Sequence, residues 1–233
     1  MGDDIRKINW TITAKLGKPY IKELHANREL SVCVTTLLSA SLYFGEDNKK
    51  QKTLTQIATI LAYAAQYNLD LFTGITYSHN NIYSTPPTKQ IYHIEEFSKK
   101  VFETNVLKTT LNYESVFKDL FQRLLKPSLL FVIGDFLEEI DLSLLSQKHE
   151  VIAIIVRDRE EEFPVKLGEV LLQNPQSSMK LNTYFAKKSI DKYREKLLEH
   201  DRKMQEHFSS YGIRSIKIFT DEDAVAKLLR LFI

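Results

Sequence analysis

An α/β domain, built as a mostly parallel sheet with helices on both faces, follows from three features of this chain. Short apolar runs rich in branched residues recur along it, helical patterns separate them, and its size suits one sizeable core: 233 residues, 43% hydrophobic and 27% charged. The first run, "LSVCVTTLL" (30–38), is apolar almost throughout, as a strand buried on both faces must be, and predicts a central strand with Cys33 inside. A helical pattern follows in "TLTQIATILAYAAQYN" (53–68), and "LDLFTGITYS" (69–78) alternates enough to be a second strand. "HNNIYSTPPTKQIYHI" (79–94), with Pro86 and Pro87, reads as a hairpin or loop excursion. "YESVFKDLFQRLL" (113–125) is helical, while "LLFVIG" (129–134) and "VIAIIVRD" (151–158) are buried parallel strands. "FPVKLGEVLLQNPQSSMKLNTYF" (163–185) reads as a second hairpin turning at Asn174 to Ser177. A long helix, "AKKSIDKYREKLLEHDRKMQEHFSSYG" (186–212), ends at Gly212 as a C-cap would have it, and "RSIKIFT" (214–220) adds a last strand.

Composition narrows the function. The 32 basic and 30 acidic residues are mixed along the chain for a net charge of +2, so no basic block predicts a nucleic-acid partner. No run reaches the roughly 18 apolar residues of a membrane span and the polar start does not read as a signal peptide, so a cytoplasmic protein is expected. The single cysteine, Cys33, reads as an inert core side chain. There is no Gly-x-Gly-x-x-Gly, no phosphate loop and no Gly-x-Ser-x-Gly elbow, and no enzyme activity is expected. His200 and His207 stand two turns apart, about 10 Å, too far to share a metal, and read as surface residues; "RDREEE" (157–162) reads as a solvated loop.

Parallel sheets place ligands beyond the carboxyl ends of their strands. Three loops are predicted to meet there: one with Ser39 and Ser41, one with Thr109 and Thr110 before the helix at 113, and one with Asp135. Two hydroxyls, a threonine and an aspartate would suit a hard cation such as magnesium. The alternative is that these groups cap helix starts and tie loops together. A hydrolase using Ser39 or Ser41 is a further alternative, and needs a histidine within reach.

The trio resembles the metal-ion-dependent adhesion site of von Willebrand factor type A domains, Asp-x-Ser-x-Ser followed by a Thr and an Asp, with Leu37 standing in the place of the first Asp. By that resemblance the site is degenerate, holding magnesium weakly at most, and Leu37→Asp is expected to restore an ion. "GDDIRKINWTITAKLGKPYIKELHANREL" (2–30) resembles the signature Gly-Asp-Asp-x-Arg-x-Ile-Asp-Trp of a bacterial family of unknown function associated with MoxR-type ATPases (domain of unknown function fifty-eight), with Asn9 in place of the second-last residue. "GDFLEE" (134–139), "VIAIIVRDREEEFPVKLGEVLL" (151–172) and "TDEDAVAKLLRLF" (220–232) resemble that family's later blocks, in the same order. The resemblance implies a von Willebrand factor A-like domain over 29–233, with the segment 1–28 packed on it. The signature residues Gly2, Asp3, Asp4, Arg6 and Trp10 are expected to be architectural, with Asp3 or Asp4 capping a turn, Arg6 pairing with a carboxylate and Trp10 packing on the sheet; the alternative is that they bind a partner. The resemblance also implies a protein-binding adaptor, partner of a MoxR-type AAA+ ATPase in assembling or maturing another complex. Membrane contact is expected only through residues that other members carry ahead of the signature.

Overall fold

A computed structural model of the protein describes residues 29–44, 48–79, 81–164, 168–173, 180–185 and 187–231, with the backbone alone for 168–173, 180–185 and 187. Gly2, Asp3, Asp4, Arg6, Trp10 and the turn at 174–177 lie outside the described residues. In chain order the strands are β1 (Ser31–Leu38), β2 (Leu71–Ser78), β3 (Asn81–Ser84), β4 (Leu129–Gly134), β5 (Glu150–Arg157), β6 (Gly168–Gln173), β7 (Lys180–Phe185) and β8 (Arg214–Phe219). The helices are α1 (Lys49–Tyr67), α2 (Ile91–Glu103), α3 (Tyr113–Arg123), α4 (Ser143–Ser146), α5 (Arg159–Glu162), α6 (Lys187–Ser210) and α7 (Ala224–Leu229).

Six strands form one sheet in the order β3-β2-β1-β4-β5-β8, parallel except for β3, which returns antiparallel along β2. β6 and β7 pair as a separate antiparallel hairpin. The period of two along each strand sends neighbours to opposite faces. In β4, Phe131 and Ile133 join the core under α1, α2 and α7, whereas Leu130 and Val132 join the one under α3, α4 and α6. β1 lies between two parallel neighbours with Cys33 buried, as its unbroken apolar character requires. Burial pushes the Cys33 thiol up to about 12, so it stays protonated and inert. Gly212, at φ +65, ends α6 in the left-handed conformation that glycine adopts without a Cβ clash.

Three parts of the chain depart from the expectation. Of the hairpin or loop excursion expected over 79–94, β3 is the hairpin strand, but residues 91–103 form α2: past Pro86 and Pro87, Ile94, Phe97 and Val101 recur at helical spacing and bury. α1 starts at Lys49 rather than 53, with Lys50 and Gln51 buried. "RDREEE" is not a solvated loop. Arg157 ends β5, and Asp158 caps the short turn α5, accepting from Glu160 N at 2.9 Å while Glu161 accepts from Asp158 N at 3.1 Å. Arg157, Asp158 and Glu161 are all buried. Among the described residues no helix is long and apolar enough to cross a membrane.

Candidate functional site

β1, β4 and β5 are parallel neighbours, so the residues that follow them, Ser39, Asp135 and Asp158, emerge at one edge of the sheet. After β1 the chain tightens into a 3-10 turn, Ala40–Leu42, with the Ser39 and Ser41 hydroxyls 2.6 Å apart. Ala40 N donates to the Thr109 carbonyl at 3.1 Å, which draws the loop before α3 against the end of β1. The buried Thr109 hydroxyl donates to Val106 O within its own loop, and Thr110 is exposed. The edge thus gathers Ser39, Ser41, Thr109 and Asp135, and leaves Thr110 facing solvent. Leu37 is 2% exposed and packs in the apolar cluster with Cys33, Tyr77 and Leu130.

The centre of this edge is a residue that sequence reasoning missed. Lys50, in the first turn of α1, has a fully buried side chain whose Nζ donates to Asp135 Oδ2 at 2.9 Å, Glu161 Oε1 at 2.7 Å and the Ser41 carbonyl at 2.9 Å. An ammonium has three N–H donors, and three acceptors meet them. One nitrogen therefore ties together the loops after β1, β4 and β5. Its setting runs against helix rules: cations are disfavoured at a helix N-terminus, yet Lys49, Lys50 and Lys52 fill this one. The N-cap Asn48, at φ 52, makes no side-chain cap bond. Two carboxylates, from Asp135 after β4 and Glu161 in α5, compensate. Burial pushes the Glu161 carboxyl above its ordinary value, against the Lys50 ammonium and the Asp158 N–H, both of which favour the anion. Tyr113, hydrogen bonded to Ser39, has its phenol raised by burial and then by Asp135 and Glu138.

A second buried cation braces the loop after β4. Arg157 Nη2 donates to the Phe136 carbonyl at 3.0 Å and to Asp201 Oδ1 at 3.3 Å. His200 Nε2 lies 2.9 Å from the same carbonyl. Phe136 adopts φ 46, a left-handed conformation that a bulky residue accepts only when its surroundings impose it. Lys217 bridges Glu162 and Asp201 at 2.5 and 2.6 Å. His200 and His207 are therefore half-buried ties between α6 and the loops, the latter accepting from Leu142 N at 3.1 Å, rather than plain surface residues. No described histidine bonds to Ser39 or Ser41. Among the described residues no group of three His, Cys, Asp or Glu side chains is arranged to hold a metal.

The family described as "Protein of unknown function DUF58" matches residues 1–206. An "Uncharacterized protein" of Mycobacterium tuberculosis (strain ATCC 25618 / H37Rv) and another of Mycobacterium bovis are each 23% identical over 238 residues, covering 98% of this chain and 74% of theirs. Two solved structures are similar at a TM-score of 0.46 and 10% identity over 86% of this chain. One is the conserved hypothetical protein BatB from Bacteroides thetaiotaomicron, 95% covered; the other is an aerotolerance-related membrane protein from Bacteroides fragilis, 96% covered.

Proposed function

This chain belongs to the DUF58 family of unknown function, the one its opening signature resembles, and on that premise we propose that it is a protein-binding adaptor module whose partner is a MoxR-type AAA+ ATPase. The supporting observation is the carboxyl edge itself. Its loops are held together from inside, and three of them turn a large apolar side chain outward: Tyr43 after β1, Leu107 before α3 and Phe163 after α5, 45%, 42% and 52% exposed. Single exposed apolar residues are ordinary, but three on braced neighbouring loops offer anchors whose ordering cost is already met. The von Willebrand factor A-like kinship and a degenerate adhesion-type loop belong to the same reading, in which recognition uses shape and apolar contact rather than a metal ion.

The test is direct binding between this protein and the purified MoxR-type ATPase of the same cells. The wild type is expected to bind equally well in magnesium and in chelator. Replacing Tyr43, Leu107 and Phe163 together by alanine is expected to weaken binding by at least about tenfold, as loss of interface anchors does. Absence of wild-type binding overturns the partner. Loss of binding in chelator alone overturns the metal-free mode.

A further inference from the structure

We infer that the apolar groove at the amino edge of the sheet is covered by the chain's own residues 19–28, with Tyr20, Ile21 and Leu24 as the anchors. The inference goes beyond the adaptor reading and stands apart from it, since it concerns the edge opposite the loops that carry Tyr43, Leu107 and Phe163.

The groove runs between α1 and α7 across the amino ends of β1, β4, β5 and β8, and has a volume of about 710 Å³. Leu30, Ile60, Ala64, Leu129, Val225 and Leu229 give it an apolar lining. Leu30, Val225 and Leu229 are nonetheless 52%, 46% and 57% exposed, so among the described residues the groove stands open. Apolar side chains gathered in one concave place mark a contact, unlike the same residues scattered singly. The charges on the wall do not call for a polar ligand. Glu150 pairs with Arg214 at 2.6 Å, and Asp70 accepts from Leu30 N at 2.9 Å.

The occupant follows from where the chain enters. Leu30 lines the groove, and it is fixed there on both sides of its peptide: its N–H donates to Asp70, and its carbonyl accepts from Leu71 N at 2.9 Å. Residues 1–28, outside the described part, therefore join the domain at the groove wall. Leu24 stands six residues before Leu30, so even at full extension it is within about 20 Å of it. Tyr20, Ile21 and Leu24 recur at the spacing of one helical face, behind Pro19, a residue suited to a first helical turn. A stretch tethered this closely meets the groove at a local concentration of about millimolar, which a second copy or a free partner has to match.

Limited proteolysis and crosslinking of the full chain test this. Trypsin is expected to cut after Lys22 at least about tenfold faster in Val225→Glu/Leu229→Glu than in wild type, because two carboxylates in the groove expel apolar anchors. Equal rates in a folded variant overturn the inference. Glu23→Cys with Val225→Cys is then treated with a short bismaleimide, Cys33 being buried and unreactive. A crosslink within one chain is expected, and Glu23→Cys with Leu107→Cys, at the opposite edge, should give none. No crosslink with Val225→Cys, or equal crosslinking at both edges, overturns the inference. A crosslink between two chains also overturns it and assigns the groove to a second copy. If the glutamate variant does not fold, the crosslinking pairs decide alone.

Discussion

Lys50 shows how one residue's role is set by what surrounds it. Its ammonium is fully buried, and its removal leaves Asp135 and Glu161 facing each other without a counter-charge. Breaking such a pair costs about 3–5 kcal/mol, because the charges left behind have lost their water. Lys50→Met is therefore expected to lower the unfolding free energy by about that much in urea denaturation. Lys50→Met with Glu161→Gln should recover a measurable part of the loss. If the double variant is as unstable as the sum of the two single ones, the pair is not coupled. Arg157 is the parallel case: its Nη2 braces Phe136 in a strained conformation, while its Nε and Nη1 have no hydrogen-bond partner among the described residues.

At the scale of elements, the close approach of α2 to β2 depends on one missing side chain. A Cβ on Gly74 would come within 2.5 Å of the Phe97 ring, which also meets Phe72 edge-on at 5.5 Å between centroids. Gly74→Ala is expected to cost about 1–3 kcal/mol, as overpacking of a filled core does. Phe97→Leu in the same chain should return some of it, and equal stability of wild type and Gly74→Ala would show that α2 shifts freely. Ile94, Phe97 and Val101 stand at helical spacing just downstream of two prolines, whose local signal is for a turn or loop. Helix formation there draws on burial against the sheet, which local composition does not express. α6 is docked by side chains as well as by packing, with His200 and His207 holding the loops after β4.

For the molecule as a whole, the sheet separates two cores, and the amino edge of β5 holds a group that makes global stability depend on pH. His149 is 4% exposed, neither ring nitrogen has a hydrogen-bond partner among the described residues, and the ring meets Phe121 edge-on at 6.3 Å. Burial, and then the neighbouring Lys148, hold the imidazole below its ordinary value of 6.5. Above that value the ring is neutral in both states and adds no pH dependence. As pH falls through it, the unfolded chain takes up a proton that the folded chain refuses, and stability is lost. The drop in urea midpoint between about pH 7.5 and about pH 5.5 should be smaller for His149→Phe than for wild type. Parallel curves would assign the acid sensitivity to other groups.

The sequence by itself determined the strands, their burial on both faces and the edge at which the loops meet, because branched apolar runs and their alternation are local properties. It placed Ser39, Ser41 and Asp135 at one end of a parallel sheet for the same reason. Tertiary structure alone decided what holds that edge. Lys50 lies 85 residues from Asp135 and 111 from Glu161, inside charged runs that pattern takes for solvated surface. A charge is buried only when distant partners arrive to replace its water, and no property of "KKQK" or "RDREEE" records their arrival.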